Sequence, residues 1–312
     1  MPENRGKLRT KARKFQFSGE LQFIELNHAD RFASKLAHCR GIRRIVQYGS
    51  KLTRKYIGRV WFTGMINEQA FEEAKKKIIG VNRDRIGIGT LSEKTVHAIL
   101  KNYYEPDEDK QEIPIERYVA DIYRDGEILE IQTRHFYKMR DKLNAFLPLY
   151  PVTIIYPIPR EKWLIWIDEE TGELTKRRKS PAKGNPYLAF QELYKIKMYL
   201  KHPNLRLKLV LLDMEEYRLL NGWSKDKKKG STRYDRIPTT LVEEIEINCI
   251  QDYMQFVPYD IPEEFTVKDF AKTAHIPTAL SQIVLNILYD LGIVTRTGKQ
   301  KNAYIYEIID IR

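Results

Sequence analysis

Apolar positions change period several times along the chain, and each change predicts an element. Val119 to Arg124 and Ile128 to Gln132 alternate with the two-residue period of paired strands, and Asp125-Gly126 between them signals a tight hairpin. From Thr133 to Leu147 the period lengthens. Phe136, Met139, Leu143 and Phe146 fall at three- and four-residue steps, which predicts an amphipathic helix with Arg134, Lys138, Arg140 and Lys142 on its other flanks. Val152 to Ile158 is almost wholly apolar, as a central strand buried on both faces would be. A strand, helix, strand crossover of this length makes those two strands parallel neighbours. Further strands are predicted at Trp163 to Ile167 and Leu205 to Asp213, with a helical stretch from Tyr187 to Leu200.

The flanks carry patterns of their own. Strand (Leu21 to Leu26), helix (His28 to Cys39), two strands (Ile42 to Tyr48, Tyr56 to Phe62) and helix (Asn67 to Ile79) predict a small ferredoxin-like module, and a helix from Leu91 to Tyr103 follows. The run EPDEDKQEIP reads as a loop, as does the charged Ser224 to Arg236. Near the end, Phe265 to Ala274, the turn His275-Ile276-Pro277 and Thr278 to Leu291 form a helix-turn-helix, with Thr278 as N-cap and Gly292 closing the second helix. A β-hairpin (Ile293 to Thr297, Ala303 to Ile308) completes a pattern that resembles a winged helix, opened by a helix at Ile250 to Phe256. The expected division is a basic arm (1–15), an α+β module (16–85), a central domain (86–223), a linker (224–244) and the winged helix-turn-helix (245–312).

Composition narrows the function class. A chain of 312 residues, 42% hydrophobic and 31% charged, can form two or three globular domains. No apolar run nears the roughly 18 residues that span a bilayer, and MPENRGKLRTKARK holds no apolar segment of a secretory signal, so a cytoplasmic protein without membrane partners is expected. Cys39 and Cys249, far apart, exclude a disulfide scaffold and a thiolate zinc site. A net charge of +12 points to a nucleic-acid partner, most of all DNA. The charge gathers at Arg5 to Lys14, Lys176 to Lys179 and Lys225 to Lys229, runs that solvated loops also carry.

Candidate chemistry sits on the hairpin. Its register sets Arg124 opposite Glu127, Tyr123 opposite Ile128 and Asp121 opposite Glu130. Like charges with Cβ atoms about 4.5–5.5 Å apart destabilise a sheet, so something compensates them: a divalent cation such as Mg2+ or Mn2+, hydration at an edge, or a neighbouring Lys or Arg. Glu93 reads as the acid of a capping box begun by Thr90, in which it would bond back to the Thr90 amide. Candidate phosphate contacts are Lys94, Lys101 and Arg134 near the acids, Lys176, Arg177 and Arg178 on a hairpin tip, Thr278, Ser281 and Gln282 on the second helix of the helix-turn-helix, and the wing residues Lys299 and Lys301.

Asp121, then Glu130-Ile131-Gln132 on the next strand, then a basic helix and VTIIYPI, resembles the core of the PD-(D/E)xK nuclease superfamily and is similar to the nuclease core of CoiA-like competence proteins. The resemblance covers about Thr90 to Gly222 and departs from the usual pattern in having Gln132 where Lys is common. It implies a restriction-endonuclease-like mixed sheet within an α/β (overall α+β) fold, and a metal-dependent DNA endonuclease. Asp121, Glu130 and Glu93 would hold the metal, Gln132 would orient water, and Lys94, Lys101 or Arg134 would replace the missing lysine. The rival reading is a non-catalytic DNA-binding protein on a degenerate nuclease fold; RNA is the alternative substrate.

Overall fold

The structure is a computed structural model and describes residues 66–83, 94–222 and 232–309. The basic arm, the strands and first helix expected before residue 66, Glu93 and the charged run 223–231 lie outside the described residues. In chain order the main elements are α1 (Glu68–Arg83), α2 (Lys94–Tyr104), β1 (Gln111–Ile115), β2 (Tyr118–Arg124), β3 (Glu127–Ile131), α3 (Arg140–Phe146), β4 (Val152–Ile167) and β5 (Arg178–Lys179). There follow α4 (Ala189–Leu193), β6 (Leu205–Leu219), β7 (Thr232–Ile247), α5 (Val267–Ala274), α6 (Thr278–Asp290), β8 (Val294–Gln300) and β9 (Ala303–Ile308).

A mixed α/β architecture results. The main sheet runs β1-β2-β3-β4-β6-β7, with β5 paired to β4. Asp125 and Gly126 have φ of 49° and 79°, the backbone of a primed two-residue turn, so β2 and β3 pair in the expected register. The crossover through α3 makes β4 parallel to β3, and β6 is parallel to β4. These central strands are covered on both faces, which is why Val152 to Ile158 and Leu209 to Leu212 are so apolar. On one face α1 and α2 pack through Phe71, Ile99 and Leu100 onto Ile122, Ile155 and Val210. On the other, Phe136, Leu143 and Phe146 join Ile154, Leu207 and Leu209.

Three expected boundaries change. The loop EPDEDKQEIP ends in β1, the edge strand among the described residues, where Pro114 is tolerated because no further described strand needs its missing N–H. The linker at 224–244 is largely β7, paired antiparallel to β6 over its length; three register shifts and Pro238 had hidden its alternation. Helix α1, assigned to the N-terminal module, packs on α2 and the sheet instead.

A bulge also replaces the expected break after Ile158, so β4 is continuous to Ile167. Between Pro159 and Glu161 one extra residue inverts the alternation: Ile154 and Ile158 face the α3 side, whereas beyond the bulge Lys162 lies beside Met214 and Glu216 on the α2 side. Gly184 backs this bulge. A Cβ there would lie 2.0 Å from the Pro159 carbonyl oxygen.

The C-terminal segment is a helix-turn-helix followed by an antiparallel hairpin, β8 with β9. Thr266, with Asp269, caps α5, and His275 adopts a left-handed φ of 53° in the turn. Thr278 is the first helical residue rather than the cap, which is Pro277. Edge-to-face contacts of Tyr187 with Phe256 and Phe270 join this segment to the sheet domain, in one apolar core that runs from Ile154 to Leu288. No helix among the described residues is long and apolar enough to cross a membrane.

Candidate active site at the carboxylate hairpin

The hairpin ladder stops where the acids begin. Backbone pairing reaches Ile122 opposite Leu129, and side chains take over one step further on. Glu130 Oε1 accepts the Asp121 N–H at 3.3 Å, and Asp121 Oδ2 accepts the Ile131 N–H at 2.8 Å. The Asp121 carboxylate thus occupies the Ile131 N–H, a donor that continued pairing would have used.

Two side chains from the flanking layers complete the site. Val96, Ile99 and Leu100 bury one stripe of α2 and hold His97 above β2, where its Nε2 lies 3.2 Å from Asp121 Oδ2. Leu143 and Phe146 bury α3, and Lys142 beside them donates to Glu130 Oε2 at 2.6 Å. Glu130 is 4% exposed. Burial, and then the Asp121 charge, push its carboxyl up to about 7 against the pull of Lys142. Burial also acts on Asp121, but the His97 hydrogen bond and charge and the Ile131 amide outweigh it, leaving that carboxyl below its ordinary value. Near neutral pH the site therefore holds one firm carboxylate and one that shares a proton with solvent.

A stability consequence follows with a definite sign. Glu130 has a folded pKa raised above its unfolded value of 4.5, so its contribution is full below pH 4.5 and disappears as pH rises toward 7. Without metal, the protein should lose about 3 kcal/mol of stability from this group across that window. Glu130→Gln should remove that part of the slope in urea unfolding measured from pH 5 to 8. An unchanged slope in the variant would refute the assignment.

The other expected residues divide. Gln132 Nε2 donates to the Arg134 carbonyl oxygen. Lys101 is committed to Glu112 at 2.6 Å, and the lysine that meets the acids is Lys142, on Glu130 at 2.6 Å. Lys94 opens α2, and Arg134 is exposed just beyond β3. Arg177 pairs with Glu215 at 3.1 Å and lies over Trp163 at 4.3 Å, while Lys176 and Arg178 are exposed beside it. Thr278, Gln282, Lys299 and Lys301 are exposed. Ser281 is fully buried and donates to the Val267 carbonyl, so it joins α6 to α5 and is removed from the contact surface. His97 and Lys142 were legible only as a helix-face histidine and part of a basic flank.

Donor chemistry fits a hard divalent cation. Both Asp121 bonds fall on Oδ2, which leaves Oδ1, and two carboxylates with water are a common magnesium set. No three His, Cys, Asp or Glu side chains among the described residues are placed to hold a metal ion, so Asp121 and Glu130 alone would have to hold one here. The expected third acid, Glu93, lies outside the described residues.

Comparison with known proteins follows the same boundaries. A family model described as "Domain of unknown function (DUF8091)" matches residues 94–248, the span from the start of α2 to just past β7, and leaves out the helix-turn-helix. The chain is 27% identical over 226 residues to an "Uncharacterized protein" of Treponema pallidum (strain Nichols), a match covering 70% of this chain and 86% of that one. No solved structure matches.

Proposed function

We propose that the protein is a divalent-metal-dependent nuclease acting on DNA, with the acid pair on β2 and β3 as its catalytic centre. The observation that carries this reading is the Asp121–Glu130 pair with Lys142 donating to Glu130. The chain order supports it: a helix, three antiparallel strands, a crossover helix and a parallel strand, with Asp on the second strand and Glu-x-Gln on the third, is what the PD-(D/E)xK resemblance implies. Asp121 and Glu130 would hold Mg2+ or Mn2+, which supplies a nucleophile at neutral pH and charge stabilisation of the phosphate. Lys142 keeps positive charge where the family's lysine usually stands, on the next helix instead of the third strand. His97 fixes the Asp121 carboxylate from α2.

A DNA-binding protein without catalysis is the second reading. It is favoured by one observation: His97 and Lys142 already compensate both acids within the protein. Labelled single-stranded, duplex and branched DNA, and RNA, incubated with the full chain and magnesium, manganese or EDTA, separate the two. Metal-dependent cleavage that EDTA stops supports the nuclease; binding without cleavage under all conditions supports the rival.

The wing would add affinity for the duplex. Arg296 is held between Tyr289 and Tyr304, 4.3 and 4.1 Å from their rings, and Lys299 lies 4.9 Å over Tyr304, so the hairpin presents cations on a rigid aromatic base. Lys299→Ala with Lys301→Ala should weaken duplex binding about 10-fold at moderate salt and flatten the salt dependence by about one unit per lost phosphate contact. Unchanged anisotropy titrations would make the wing a protein-contact element. The full chain is the proper sample, because the core of this segment is shared with the sheet.

A further inference from the structure

Past the bulge in β4, the α2 face of the sheet changes from apolar to basic. Glu216 of β6 is fully buried, and among the described residues four cations from three strands surround it. Arg218 donates to Oε1 through Nε at 2.8 Å and through its terminal nitrogen; Arg236 Nε donates to Oε2 at 2.9 Å. Lys162 Nζ and Arg233 Nε stand at 3.5 and 3.7 Å from the same Oε2. One carboxylate cannot neutralise four cations, and its two oxygens cannot satisfy their donors. Arg233 Nε is buried and has no hydrogen-bond partner. The side chains of Lys162, Arg218, Arg233 and Arg236 remain 19%, 20%, 36% and 24% exposed, so the cluster opens to solvent.

A sheet that needed only to neutralise Glu216 would use one arginine. Burial and like-charge neighbours hold Lys162 and Arg233 below their ordinary ranges, the mark of cations crowded together with too few anions. Two links connect the cluster to the elements around the acid pair. Arg134, just beyond β3, contributes to the positive field at Arg233, and Thr95 in the first turn of α2 donates to Asp235, next to Arg236. The helix that carries His97 thus begins at the rim of the basic surface.

We infer that Lys162, Arg218, Arg233 and Arg236, organised by Glu216, form a phosphate-binding site that grips the nucleic-acid backbone on the α2 face of the sheet. The inference rests on the nuclease reading for its ligand. Glu216 serves as the internal anion that fixes the guanidinium forks, and the surplus donors face outward for a phosphodiester, the geometry that arginine matches best.

The test uses the full chain, a fluorescein-labelled duplex and EDTA, so that binding is read without cleavage. Arg233→Gln should weaken binding about 3- to 10-fold and lower the slope of log affinity against log salt by about one. Arg233→Lys should stay within about twofold of the parent, because the charge persists. Lys162→Gln, at a lysine 3.5 Å from Glu216, gives a second reading, and melting temperatures check all three variants. Binding unchanged in Arg233→Gln and Lys162→Gln would overturn the site, whatever the protein does with metal, as would a parent chain that binds no DNA. Cluster-dependent binding without metal-dependent cleavage would instead overturn the nuclease reading and leave the phosphate site standing. Titration with inorganic phosphate distinguishes the source: saturable phosphate binding lost in Arg233→Gln, with DNA binding unaffected by that variant, would overturn the backbone assignment.

Discussion

Asp121→Asn should reduce metal-dependent cleavage by about 10³-fold or more while leaving the protein folded. On the proposed reading the replaced carboxylate would supply half of the protein's hard oxygen donors, and a metal ion would contribute several kcal/mol of charge stabilisation, each 1.36 kcal/mol being tenfold in rate. The amide keeps an oxygen for the Ile131 N–H, so the end of the ladder survives. Two opposing effects set stability in EDTA. The variant loses the charge-assisted bond with His97, yet it removes the charge that raises the Glu130 carboxyl. Each is on the order of 1 kcal/mol, so the melting temperature should move by only a few degrees. Lys142→Met should lower cleavage about 10²-fold, with partial recovery in Lys142→Arg if the positive charge on Glu130 is what matters. A structural acid pair predicts otherwise: the melting temperature would fall sharply and any activity would track the folded fraction. Full cleavage by Asp121→Asn would end the assignment.

Glu216→Gln should be the most destabilising isosteric change in the described sheet. Removing one partner of a buried ion pair costs about 3–5 kcal/mol, and here four cations would be left facing one another. The pH dependence has the opposite sign to that of Glu130. Burial raises the Glu216 carboxyl, but Arg236, Lys162 and Arg218 outweigh it and hold it at about 2, below the unfolded 4.5. Its contribution is therefore complete above pH 4.5 and is lost as pH falls toward 2, a loss of about 3 kcal/mol. Urea unfolding of parent and variant at pH 7 and at pH 3 checks both statements: the gap should be wide at pH 7 and narrower at pH 3. Sulfate or phosphate should restore part of the variant's stability by occupying the basic cluster. Equal stability at pH 7 would mean that Glu216 does not organise these cations.

Local chemistry determined much of this molecule in advance. Asp125-Gly126 specifies a turn of one geometry, and a two-residue loop leaves a single register, so the placing of Asp121 beside Glu130 was contained in a dozen residues. Phe136, Met139, Leu143 and Phe146 marked the crossover's buried face, and a crossover between strands of one sheet makes them parallel. The helix-turn-helix and its hairpin were equally local, since caps, a left-handed turn and tight loops are encoded within a few residues.

What compensates the acid pair was settled only by packing. His97 and Lys142 reach it from opposite layers, and neither spacing nor composition singles them out from other helix-borne cations. Irregularity hid the rest. A bulge shifts every later side chain to the other face, so the alternation of β4 could not reveal that Lys162 meets Glu216, nor could the broken pattern of β7 mark it as a strand. Ser281 read as a helix-surface contact because a 3.6-residue period cannot distinguish the face toward solvent from the face a neighbouring helix covers. The sequence by itself determined the turns, the register and the apolar faces, since those depend on neighbours along the chain. The tertiary structure alone decided which charges meet, because those partners are brought together by strands and helices distant in sequence.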